Sequence, residues 1–117
     1  MSELGQQERG QYMDVGGALA RVRNNVKLYN RMLQMFQQSA EFDAFDQAIA
    51  AEDYARAADV IHGIKGMTGN LSLTLVYELS SALMNQLRNG AYEPETLEQY
   101  RDALEKTRAY VEEYLAE

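Results

Sequence analysis

The chain carries a single histidine, His62, in the segment IHGIKGMTGNL (residues 61–71), with Lys65 three residues after it and glycines at 63, 66 and 69. Imidazoles in general titrate near 6.5, so a solvent-facing histidine offers a nucleophilic nitrogen at neutral pH without the desolvation that burial imposes. An ammonium at i+3 sits on the neighbouring helical turn, where it can offset negative charge that gathers beside that nitrogen. Lys65 is therefore an electrostatic aid and not a base. The glycines are harder to place, because each costs about 1 kcal/mol against alanine inside a helix. Something other than helix stability selects them.

These residues need a helix to hold them on one side. Asp53 is suited to cap it, its carboxylate accepting from an unpaired first-turn amide. Tyr54, Ala57, Ile61, Ile64, Thr68 and Leu71 then recur at threes and fours, the seam of a bundle helix. At about 100° per residue, His62, Lys65, Gly66 and Gly69 fall together on the opposite, outward side. Gly63 points to one side of His62, which leaves two readings open: it eases a partner's approach, or it is merely tolerated. Asn85 and Gln86, on the following helix, are candidates to orient the imidazole by a hydrogen bond.

The rest of the chain supplies the supports. Pro94 is the only proline, β-branched residues are sparse, and helical periodicity runs through most of the sequence, so the fold is expected to be all-α. Residues 1–13 are weakly patterned and read as an N-terminal arm or a short helix. Asp14 is placed to cap a short helix with Ala18, Leu19 and Val22, and Asn24 or Asn25 to cap the next. Val26, Tyr29, Leu33 and Phe36 form an apolar stripe ending near Gln38. Ser39 then resembles an N-cap for a stripe of Phe42, Phe45, Ala48 and Ile49, unless the chain runs on with a kink.

After Ser72, Val76, Leu79, Leu83 and Leu87 point inward on a helix that ends at Asn89-Gly90, where glycine suits a left-handed cap. Pro94 fits the first turn of the last helix, whose inner face carries Leu97, Tyr100, Leu104, Val111 and Leu115. Met32, Met35, Met67 and Met84 read as packing material, and EKTRAYVEEYLAE as a solvated face. The expected architecture is an antiparallel four-helix bundle over residues 14–117, with one or two short additional N-terminal helices.

Composition removes several function classes. At 117 residues and 46% hydrophobic content the chain is about one domain long. With 18 acidic against 11 scattered basic residues, a net charge of −7 argues against a nucleic-acid surface. No apolar run approaches the roughly 18 residues that span a bilayer, and MSELGQQERG lacks a signal-peptide core, so a cytoplasmic protein is expected. The absence of cysteine excludes disulfides and thiol catalysis, and one histidine rules out a histidine-rich metal site. GIKGMTG lacks the GxxxxGK[ST] arrangement of a nucleotide loop.

AAEDYARAADVIHGIKGMTGNL resembles the signature of histidine-containing phosphotransfer (HPt) domains, in which an acidic residue and an aromatic open a helix that ends in His-x-hydrophobic-Lys-Gly. DVGGALARVRNNVKLYNRMLQMF resembles the first helical segments of the same family, and the likeness extends over roughly residues 14–115. It implies that His62 is the phosphorylated residue, that Lys65 is the cation beside the phosphoryl group, and that Gly66 and Gly69 are low spots over which a partner docks. Ile64 stands where the family often has leucine, Ser72 where its loop often has glycine, and Met84 where an acidic residue is common.

The resemblance further implies transfer to and from an aspartate of a receiver domain. The receiver's acidic pocket holds Mg²⁺, and this chain binds no cofactor of its own. The implied partners are response-regulator receivers and a hybrid sensor histidine kinase, with no nucleic acid and no membrane. The chain itself is expected to be a monomer without ATP-dependent kinase activity, and Met1 with the compact length favours a free-standing protein. Two other readings stand beside this one. The chain could be a nonphosphorylated adaptor that sequesters a receiver or kinase, or a structural bundle whose motif is coincidental.

Overall fold

The computed structural model describes residues 3–117; residues 1 and 2 of the expected arm lie outside it. Seven helices follow in order: α1 (Glu3–Tyr12), α2 (Val15–Arg21), α3 (Val26–Gln37), α4 (Glu41–Ala50), α5 (Tyr54–Asn70), α6 (Thr74–Arg88) and α7 (Pro94–Ala116). Among the described residues there is no strand.

Helices α3 and α4 form one broken rod that lies antiparallel along α7. Tyr29 meets Tyr114, Gln37 meets Arg108, and Phe45 meets Tyr100, so partners on α7 descend as α3 and α4 ascend. The break falls at residues 38–40. There the Gln38 amide donates to the Gln34 and Met35 carbonyls, both at 3.2 Å, and closes α3. Ala40 occupies the N-cap position of α4, correcting the expectation of Ser39. The Ser39 hydroxyl still serves that end by accepting from the Glu41 amide at 3.2 Å. With this rod counted once, α5, α6 and α7 complete a four-rod antiparallel bundle, each packed on its neighbour in chain order.

Local capping chemistry sets the ends. Asp14, Asn25 and Asp53 each accept a hydrogen bond from a first-turn amide, at 3.0–3.1 Å, and Pro94 opens α7. The inner seams lie as expected, with Leu33, Phe36, Phe45, Ile61, Ile64, Val76, Leu83 and Val111 fully enclosed. Two apolar residues do not. Val26, the first residue of α3, overhangs the core at 47% exposure, so the stripe begins at Tyr29, and Met35 faces solvent at 66%.

Residues 3–13 are part of the bundle's end. α1 packs on α6 and α7, and Tyr12 and Met13 are buried in the common core. Arg9 pairs with Glu117 at 2.6 Å, Thr74 Oγ1 donates to the Gln11 carbonyl at 2.9 Å, and the Asp14 amide donates to the Ser72 carbonyl at 2.9 Å. The first ties α1 to the end of α7, and the other two seat the α1–α2 junction on the turn between α5 and α6, beside the end of the His62 helix.

Candidate functional site

The seventeen-residue α5 is gripped from within by Ala57, Ala58, Ile61, Ile64 and Thr68, all buried. Thr68, a polar residue in that seam, donates its hydroxyl to the Ile64 and Lys65 carbonyls at 2.9 and 3.1 Å, and so enters the core satisfied. The seam fixes the rotation of the helix. His62, Gly63 and Gly66 are consequently exposed, and Lys65 and Gly69 half-buried.

The far end of α5 is a tight reversal. Ser72 takes φ 55°, its amide donates to Gly69 and that of Leu73 to Thr68, which is the Schellman pattern. A left-handed residue at this place accounts for the glycine common there in the resembling family, since only glycine adopts that conformation without a Cβ penalty. Serine carries the same turn here, buried and anchored by its bond to Asp14.

His62, Lys65, Gly66 and Gly69 line one open groove of about 660 Å³, together with Tyr77 and Glu78 of α6 and Asp14 and Arg21 from the α2 region. Arg21 donates to the Gly69 carbonyl, tying α2 to the last turn of α5, while Asp14 is occupied as the cap of α2. The His62 side chain makes no hydrogen bond among the described residues. Both ring nitrogens are therefore open to a reacting group, and no neighbour fixes the tautomer.

The three glycines have three different surroundings. A Cβ at Gly66 would meet nothing within 4 Å, so packing does not require glycine there, and the open space above it belongs to whatever approaches the helix. At Gly63 a Cβ would make ordinary contact with Glu41 Oε2 at 3.5 Å. At Gly69 it would stand 3.1 Å from Cδ2 and Cε2 of Tyr77, closer than the ring tolerates without moving. A larger residue at Gly69 would therefore push the Tyr77 ring by a few tenths of an ångström, a packing consequence that the reading of Gly69 as a docking position did not include.

The imidazole-orienting role expected of Gln86 does not fit its bonds. The rotation of α6 turns Gln86 toward α7, where its Nε2 donates to Thr96 Oγ1 at 3.1 Å and its Oε1 accepts from the Glu93 amide at 2.9 Å. Asn85 is exposed, its carbonyl accepts from Asn89 Nδ2, and its side chain makes no bond to His62. Tyr77, Glu78 and Arg21 were not singled out from the sequence. For Tyr77 the available signal is an aromatic one position past the inward Val76 and off the apolar stripe of α6.

The profile of the Hpt domain matches residues 31–110. The chain belongs to the Hpt domain family. Its members carry histidine-containing phosphotransfer in two-component signalling and work with receiver domains and histidine kinases. The matched span takes in most of the bundle and all of α5, and leaves α1, α2, the start of α3 and the end of α7 outside. Comparison with curated proteins and with solved structures finds no match. Among the described residues, no helix is long and apolar enough to cross a membrane.

Proposed function

We propose that this Hpt domain is a phosphorelay intermediate: His62 accepts a phosphoryl group from the phospho-aspartate of one receiver domain and passes it to the aspartate of another. The observation that carries the reading is the pairing of an exposed His62, free of side-chain hydrogen bonds among the described residues, with the open space over Gly66 one turn away. In the accepting step an imidazole nitrogen forms the N–P bond, the P–O bond to the aspartyl carboxylate breaks, and the carboxylate leaves with the electron pair. The proton on the other ring nitrogen is free to exchange with water.

Lys65 balances charge on the equatorial oxygens as this occurs. The Mg²⁺ of the reaction belongs to the receiver, which supplies most of the transition-state stabilisation. Gly66, with Gly63 beside it, leaves the helix low where the receiver must come close enough for in-line transfer. The chain acts as a monomer in the cytoplasm, between a hybrid sensor histidine kinase and a response regulator.

The test is to mix the protein with a phosphorylated receiver and determine the chemical stability of any label it acquires. An acid-labile, alkali-stable phosphoryl group on this chain supports the relay. Binding without transfer of label would identify a sequestering adaptor instead.

A further inference from the structure

We infer that Tyr77 is a positioning residue for Lys65: its ring is the platform on which the Lys65 ammonium stands before a receiver arrives. The inference rests on the proposed phosphotransfer reading and deepens it. Lys65 Nζ lies 5.9 Å from the centroid of the Tyr77 ring, at the outer edge of the range in which a ring face attracts a cation. An unrestrained lysine side chain spreads over many rotamers. The ring favours those that keep the ammonium at the seam between α5 and α6, in the groove that His62 also lines.

Gly69 gives the ring its place. Because a Cβ there would come within 3.1 Å of two ring carbons, glycine and tyrosine form a matched pair across the two helices. The core does not ask for an aromatic at this position: Tyr77 is 39% exposed, and the inner face of α6 is filled by Val76, Ser80, Leu83, Met84 and Leu87. The ring instead lies under the Lys65 ammonium and over the space that a Cβ on Gly69 would enter.

The test uses Tyr77→Phe and Tyr77→Leu, each alone and combined with Lys65→Ala, in single-turnover transfer from one saturating phosphorylated receiver. Tyr77→Leu is expected to slow transfer about threefold, the scale of one exposed cation–ring contact, while Tyr77→Phe keeps the ring and the rate. In the Lys65→Ala background, Tyr77→Leu is expected to cost nothing further, since the two residues act as one unit. In parallel, the Lys65 ε-methylene proton resonances of the wild type are expected upfield of their random-coil position through the ring current of Tyr77. They should remain there in Tyr77→Phe and return in Tyr77→Leu.

Random-coil ε-methylene shifts in the wild type would overturn the inference, whether or not the leucine variant folds. So would an undiminished rate for Tyr77→Leu, or a full threefold loss in the absence of Lys65. A wild type that never takes up label overturns the proposed function, and the inference with it.

Discussion

Two grooves of similar size run along this bundle, one over α5 and α6 with about 660 Å³ and one between the α3–α4 rod and α7 with about 550 Å³. In the second, the central cation is held by a hydrogen bond and a ring. Arg108 Nη2 donates to the Gln37 carbonyl at 2.8 Å, Gln37 Nε2 donates back to the Arg108 carbonyl at 2.9 Å, and the guanidinium stacks on Phe42 at 5.2 Å. That clasp satisfies a carbonyl at the end of α3 and splints the broken rod to α7. In the first groove the His62 side chain makes no hydrogen bond among the described residues, and Gly63, Gly66 and Gly69 keep the helix around it low. Concavity alone does not distinguish them. What separates a site from a seam is a reactive group kept free, with space kept clear above it.

The contrast is sharpened most by Gly66→Leu. Its Cβ meets only open space, so the fold is expected to hold, and the helix to gain up to about 1 kcal/mol. The new side chain enters the receiver's path, and displacing the partner by about an ångström costs on the order of a hundredfold in transfer. Thermal unfolding and single-turnover labelling should thus move in opposite directions. A variant that transfers normally would place the docking face elsewhere.

Lys65→Ala is expected to slow transfer about tenfold without abolishing it, equivalent to roughly 1.4 kcal/mol of barrier, because the nucleophile survives. Unchanged single-turnover rates with saturating receiver would leave Lys65 as an ordinary surface lysine. In the opposite groove, Arg108→Ala is expected to lower stability by about 1 kcal/mol through the lost bond and stack. Transfer by the folded fraction should be untouched. A slowed rate there would show that the two grooves are coupled.

The smallest effect concerns Tyr100, whose hydroxyl is buried beside the second groove without a partner among the described residues. Burial, reinforced by Asp46, pushes its phenol above the usual value, and burial does the same for Tyr29. A fold that favours the neutral phenol keeps this contribution below about pH 10, the unfolded value, and loses it as pH rises from there toward the folded one. Urea midpoints are therefore expected to fall above about pH 10. Tyr100→Phe should change stability at pH 7 by less than about 1 kcal/mol and make the alkaline fall shallower. A large loss at pH 7 would mean that the hydroxyl has a structural bond.

What was legible in the sequence was local. Asp14, the Asn24–Asn25 pair and Asp53 announce helix starts because a short side chain and an unpaired amide lie within three residues of each other, and the structure selects Asn25 from its pair. The seam of α5 places His62 outward by arithmetic alone. The end of α3 near Gln38 followed from where its stripe stops, and glycine marked the turn at Gly90, yet Arg23, Glu52 and Ser72 adopt the same left-handed turn without it. Nothing in those residue types signals a positive φ, which the closing bonds of the turn, such as Leu73 to Thr68, hold in place.

Contacts across helices were least visible. The Tyr77 ring over Gly69 and the turning of Gln86 toward Thr96 depend on rotations that apolar stripes fix only to within a neighbouring position. Val26 matches its stripe in spacing but overhangs the end of the core. Periodicity cannot tell where a neighbouring helix stops.

The most direct measurement compares the wild type and His62→Gln after each is mixed with the same phosphorylated receiver. His62 is exposed and makes no side-chain bond among the described residues, so circular dichroism and unfolding midpoints should coincide. The expected result is an acid-labile label on the wild type, mapped to His62 by mass spectrometry under alkaline conditions, and none on the folded variant. Label retained by His62→Gln would contradict it.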